Sequence, residues 1–135
     1  SRFAEPVFVA AGLRTPFGRG GGALAAYDAV SLSVPVVQAM AAHAEPDLHV
    51  WGTVIPNLGW SNIARETWLD AKLNLNVPAN PNGGSVAIGH PFGATGARDL
   101  SQAVKELWAM PPGSRGIVSI CADGGQGTVA LLERA

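Results

Sequence analysis

"GIVSICADGGQGTVALLER", residues 116–134, sets two apolar runs on either side of a glycine-rich stretch. Residues 116–121 read as a buried strand, "ADGGQG" as a tight turn, and residues 128–134 as a final strand antiparallel to its neighbour. Immediately before this hairpin, "MPPGS" (110–114) stops a helix. That helix is predicted to begin at Pro91, whose missing N–H costs nothing in a first turn. Ala97, Leu100, Ser101, Val104, Leu107 and Trp108 form its expected inner stripe.

Further upstream, "NLNVPANPNGG" (74–84) is too rich in Asn, Pro and Gly for a regular element and reads as a linker. Ahead of it, Ser61 or Asn62 caps a helix that runs through Leu73 with Ala64, Trp68 and Ala71 on one face. "HVWGTVI" (49–55) is a strand. Val34, Val37, Met40, Ala41 and Ala44 mark another helix, with Pro35 expected in its first turn and Ser33 as a cap. "PVFVA" (6–10) suits a strand buried on both faces, opening into the flexible loop of "GLRTPFGRGGGAL". The order is strand, helix, strand, helix, linker, helix, strand, strand. Such alternation predicts an α/β fold with a layered, mostly parallel sheet and helices on both faces. Ligands gather beyond the carboxyl ends of such strands. The end of the strand at Cys121 and the loop after Ala10 should therefore share one rim.

The composition narrows the classes of function. The chain has 135 residues, 47% hydrophobic and 14% charged, with a formal net charge of −1. No run of either sign is long enough for a nucleic-acid surface or a polybasic membrane anchor. No apolar stretch approaches the ~20 residues of a membrane span. "SRFAEPVFVAAG" makes a poor signal peptide. Cys121 is the one cysteine, which excludes an internal disulfide and fits a reducing compartment. The expected location is the cytoplasm, with an organellar matrix as the alternative.

Chemistry concentrates in "SVAIGHPFGATGAR" (85–98) and around Cys121. A residue before proline is pushed to extended backbone, so His90 stands just ahead of the helix that Pro91 opens. The positive end of the helix dipole disfavours imidazolium there and leaves a neutral ring able to take a proton. Gly89, Gly93 and Gly96 leave room for a ligand or another backbone. A histidine in this position could equally do no more than cap its helix. Cys121 ends an apolar strand and enters a turn whose N–H groups can converge on an anion, so a nearby base would make its thiol reactive. It could equally be an inert core thiol.

Other signals do not survive inspection. "GSVAIGHP" has phosphate-loop glycine spacing but His-Pro where Lys-Ser/Thr is needed. No G-x-S-x-G elbow occurs. One cysteine and His43, His49 and His90 at loose spacing predict no metal site. Trp51, Trp60, Trp68 and Trp108 are dispersed and read as packing residues.

"NPNGGSVAIGHPFGATGAR" followed by "CADGGQG" closely resembles the C-terminal signatures of the thiolase family. "RTPFGRGGGAL" and "VWGTVIPNLGWSNIARETWLDAKL" resemble the N-terminal part of the same enzymes, nearer the fatty-acid-degradation type. The resemblance implies an acyl-CoA C-acyltransferase, which cleaves a 3-ketoacyl-CoA with free coenzyme A or runs the reverse Claisen condensation. Coenzyme A is then a substrate, and no cofactor is implied. His90 would activate a nucleophilic cysteine and help bind the thioester oxygen. Cys121 would move the proton on and off the acceptor carbon. The turn of Asp123, Gly124 and Gly125 would support the second oxyanion through its N–H groups. Gly89 and Pro91 would lie beside the substrate.

The sequence also departs from the family pattern. The nucleophilic cysteine that should follow "VPA" (77–79) is absent, as are the Asn-Glu-Ala-Phe-type motif and the loop domain that contacts coenzyme A. Asp123 stands where many members carry glycine or alanine, and its carboxylate would oppose a developing oxyanion unless turned away. A thiolase half is a five-stranded sheet ordered 3-2-1-4-5. Residues 1–79 resemble the N-terminal segment and 80–135 the C-terminal one. The two together predict a single composite half ordered 2-1-4-5, lacking edge strand three. Family members are homo-oligomers paired through that strand, so the usual dimer should be lost. Three readings remain at this level: a thiolase-type enzyme that is incomplete or inactive as this chain alone, a non-catalytic truncated or engineered α/β module, and part of a longer thiolase.

Overall fold

A computed structural model describes residues 6–52, 58–60, 62–83, 93–122 and 126–135. Its elements in chain order are β1 (Val7–Arg14), α1 (Ala29–Ala41), β2 (Leu48–Gly52), α2 (Ile63–Asp70), α3 (Thr95–Ala109), β3 (Arg115–Ala122) and β4 (Gln126–Arg134). The four strands form one sheet in the order β1-β4-β3-β2. β2 and β3 pair in parallel, while β4 runs antiparallel to both β3 and β1. Three strands therefore point one way and β4 opposes them.

The period-2 alternation of the strands sorts the core into two layers. Trp51, Ile117, Val129 and Leu131 face α1 and α2, which contribute Val37, Met40, Ala64 and Trp68. Leu48, Val50, Val118 and Leu132 face α3, which contributes Ala103 and Leu107. The fold is thus an α/β sheet with helices on both faces. Nothing but the sheet separates the two layers.

The strand order departs from 2-1-4-5. That order places β1 between β2 and β3, but β1 lies at the far edge and β3 takes its place beside β2. The reason is burial. All five residues of β2 are buried, so it needs cover on both faces and packs closely on β3, where Gly116 leaves room for Leu48 and Leu107. β1 is not buried on both faces as "PVFVA" suggested. Phe8 and Val9 are exposed, and a bulge between Val9 and Ala11 marks it as an edge strand.

Local chemistry moves two helices relative to expectation. α1 begins at Ala29, not near Pro35, because Asp28 and Ser31 form a capping box: the Ser31 N–H donates to the Asp28 carboxylate at 2.7 Å and the Asp28 N–H to Ser31 Oγ at 2.9 Å. Pro35 therefore lies inside the helix. The carbonyl it leaves without a helical donor belongs to Ser31, on the exposed first turn. Ser33 is no cap; its hydroxyl donates to Ala29 O. On α3 the buried face is Thr95, Asp99, Ala103 and Leu107, so Ala97 and Ser101 of the expected stripe point to solvent. α2 starts as expected, with the Asn62 side chain accepting from the Arg65 N–H.

The segment expected to be a linker covers the outer edge of β2. The His49 N–H donates to Pro78 O at 3.0 Å, and the Asn80 N–H returns to His49 O at 2.9 Å. The Asn80 side chain then takes the Trp51 N–H at 2.7 Å and donates to Trp51 O at 3.2 Å. One amide does the work of the next pair on a missing strand. Its left-handed φ of 48° is a conformation that Asn tolerates.

His49 is fully buried under this cover. Its ring stacks on Trp68 at 4.4 Å and meets Trp51 edge-on at 5.4 Å, with neither ring nitrogen hydrogen-bonded. Burial alone pushes its pKa from 6.5 down to about 4. The unfolded chain therefore binds a proton that the folded chain refuses. The stabilisation is complete above pH 6.5 and is lost as pH falls from there through about 4. Chemical denaturation across that window should show unfolding free energy dropping by roughly 3 kcal/mol on this account. A His49→Phe chain should show a flatter profile.

Candidate active site

Because β1, β2 and β3 run in the same direction, their carboxyl ends share one rim, where Arg14 lies opposite Thr128, Gly52 beside Ile120, and Cys121 opposite Gly127. The rim expected from sequence is present. The first turn of α3 descends onto it. A β-carbon on Gly96 would lie 3.2 Å from Ile120 Cδ1, and one on Gly52 would collide with Asp99 Oδ2. Two missing side chains thus set how close helix and sheet can come.

Asp99 is the charged group that sequence reasoning missed. It is buried in α3, and its Oδ1 pairs with Arg98 Nη2 at 2.8 Å. A carboxylate can be buried when it is paired, but nothing in "ARDL" distinguishes an inward Asp99 from an outward one. Only the opposing glycine, distant in sequence, gives it space.

Of the residues singled out in the sequence, Cys121 is placed by its backbone, within β3 at the carboxyl rim. Gly89, His90, Pro91, Asp123, Gly124 and Gly125 lie outside the described residues. The described part of the third helix starts at Thr95, capped by Ala94 without a side-chain bond. Near the end of β1, the Arg14 guanidinium sits 4.0 Å over the Phe17 ring. Exposed Trp60 donates to the Asp28 cap of α1 at 3.4 Å, and its neighbours in sequence, Leu58 and Gly59, are also exposed. Two clefts of about 290 and 330 Å³ open at the opposite end of the sheet, around Glu45, Pro46, Asn74 and Val77. They lie away from Cys121. Among the described residues, no cluster of three or more His, Cys, Asp or Glu is placed to hold a metal, and no helix is long and apolar enough to cross a membrane.

An α/β sheet covered by helices on both faces is the class that the fold defines. Residues 60–134, over half of the chain, match the family model described as thiolase, C-terminal domain. The chain belongs to the thiolase family. It is 47% identical over 55 residues to a beta-ketoadipyl-CoA thiolase of Pseudomonas knackmussii, a match covering 41% of this chain and 14% of that protein. Over 79 residues it is 43% identical to a 3-ketoacyl-CoA thiolase of Salmonella typhi, covering 56% of this chain and 18% of the relative. The chain thus spans less than a fifth of these relatives. It also resembles the dimeric peroxisomal thiolase of Saccharomyces cerevisiae, with a TM-score of 0.56, 26% identity and coverage of 76% of this chain and 24% of that one. A thiolase of Ascaris suum in complex with coenzyme A gives a TM-score of 0.57 at 25% identity, covering 77% and 25%.

The close approach of α3 to the rim is testable. Gly52→Ala should cost roughly 1–3 kcal/mol, as overpacking does, read as a lower denaturant midpoint at an unchanged slope. Gly20→Ala, where no other atom comes within 4 Å, should stay within about 0.5 kcal/mol.

Proposed function

We propose that this chain carries the acid/base portion of a thiolase-type acyl-CoA C-acyltransferase site, with coenzyme A thioesters as substrates and no resident cofactor. The observation that carries the reading is the meeting of α3's first turn with the carboxyl ends of β2 and β3, at Gly52, Gly96 and Ile120. That meeting brings the described start of the helix that follows His90 in sequence to the rim that holds the Cys121 end of β3. Family membership supports the same roles: His90 as base and thioester-oxygen ligand, Cys121 as proton carrier at the acceptor carbon, and the N–H groups of Asp123, Gly124 and Gly125 as oxyanion support. Gly89 and Pro91 would border the substrate.

In the complete reaction, coenzyme A thiolate displaces an acyl group from the enzyme after a cysteine has cleaved the 3-ketoacyl bond. Two thiols serve in turn, one holding the acyl group while the other handles the proton. This chain has one cysteine, so alone it is incomplete for two-step transfer. The same count favours a second reading, a non-catalytic α/β module derived from a thiolase. We place the chain in the cytoplasm or an organellar matrix. We also read residues 1–79 and 80–135 as one composite domain lacking the strand that pairs subunits in the family. Sedimentation should accordingly show a monomer, and a dimer would sink that part.

Alkylation of Cys121 between pH 5 and 9, with and without an acyl-CoA, separates the two functional readings. A residual site gives fast labelling that acyl-CoA protects and that His90→Ala slows by about a hundredfold, the low end of general-base effects. Slow labelling indifferent to both ligand and mutation would leave a structural module.

A further inference from the structure

Six asparagines occur in the sequence, and Asn82 is the one followed by glycine. Glycine has no β-carbon, so its backbone nitrogen can reach the side-chain carbonyl carbon of the residue before it. Residues 80–83 form a turn in which the Gly83 N–H donates to Asn80 O at 2.9 Å. Asn82 is exposed, and its Nδ2 donates to Glu106 Oε1 of α3. The other end of the turn, Asn80, holds the outer edge of β2 through His49 and Trp51. The turn is therefore fastened to β2 at one end, to α3 at the other, and to itself between them.

We propose that Asn82 is a self-modification site, whose amide is lost when this turn opens and whose product prevents the turn from closing again. In the closed turn the reaction is held back twice. The nucleophile's N–H is engaged by Asn80 O, and the leaving amide is engaged by Glu106. Once the turn opens, the Gly83 nitrogen attacks Asn82 Cγ and a C–N bond forms. The Cγ–Nδ2 bond breaks, and Nδ2 leaves as ammonia, taking the proton given up by Gly83. Water then adds to either carbonyl of the resulting succinimide, leaving aspartate or isoaspartate at position 82. Electrons and atoms balance with solvent as the one co-reactant. The product is a carboxylate where Glu106 needs a donor, so two negative groups face each other and the α3 fastening is lost. A reversible opening becomes a permanent one.

The test is incubation of the full chain at mildly alkaline pH, with peptide mass mapping for exchange of an amide NH2 for OH. Asn82 should be modified ahead of Asn62, Asn74, Asn76 and Asn80, and the chain unfolded in urea should set the upper rate. Glu106→Ala should speed the reaction about fivefold, the population change that one net hydrogen bond supports. Asn82→Asp, a made-to-order product, should lose hydrogen-exchange protection at the Asn80 and Gly83 amides. Asn82→Gln, which would need a larger ring to cyclise, should keep its amide. Modification of Asn82 no faster than of the other asparagines, an unchanged rate in Glu106→Ala, or full protection in Asn82→Asp would each overturn the proposal.

Discussion

The fold rests on the burial of β2. Five consecutive buried residues at the edge of a sheet pose a hydrogen-bonding problem, because a buried edge must still satisfy its N–H and C=O groups. Among the described residues, no strand follows β2 in the sheet order. The chain solves the problem with a non-strand segment, Pro78 to Asn80, whose backbone and one amide side chain supply the missing bonds. Cover on that edge lets Trp51, Trp68 and His49 pack together beneath it. It also allows β2 to present Leu48 and Val50 to the layer of α3.

The candidate site depends on that arrangement. α3 reaches the rim because β2 ends in Gly52 and the helix itself carries Gly96, so the backbone at each glycine lies directly against a side chain, Asp99 at one and Ile120 at the other. At the same corner the buried Asp99 carboxylate pairs with the partly exposed Arg98 guanidinium at 2.8 Å. A buried carboxylate needs such a partner. Packing and electrostatics therefore converge on the first turn of a single helix.

What could be read from the residues beforehand was local. The β3–β4 hairpin follows from two apolar runs and a glycine turn, and α2 from Asn62 and the spacing of Ala64, Trp68 and Ala71. Membership of the thiolase family followed from motifs at 80–98 and 121–127. The start of α1 lies in Asp28 and Ser31 at capping-box spacing, a signal that the expectation of Pro35 in the first turn with Ser33 as cap passes over. Strand order was not legible. Which strand lies beside β3 depends on how much of β1 and β2 must be buried, and the two runs are about equally apolar. The rotation of α3 was hidden for a related reason: apolar Ala97 faces solvent, while charged Asp99 faces inward opposite a glycine elsewhere in the chain. Of the site, the position of Cys121 at a carboxyl rim was foreseeable from topology alone.

The edge position of β1 shapes assembly as well as architecture. Its ladder with β4 joins Val7 to Arg134, and the Ala135 N–H closes onto Pro6 O at 3.0 Å. Closing a loop that spans nearly the whole sequence carries the largest entropy loss of any pairing in the sheet. The hairpin between β3 and β4 carries the smallest. Contacts of such range slow folding most, and in this sheet they fall on β1, an edge strand that pairs with β4 alone.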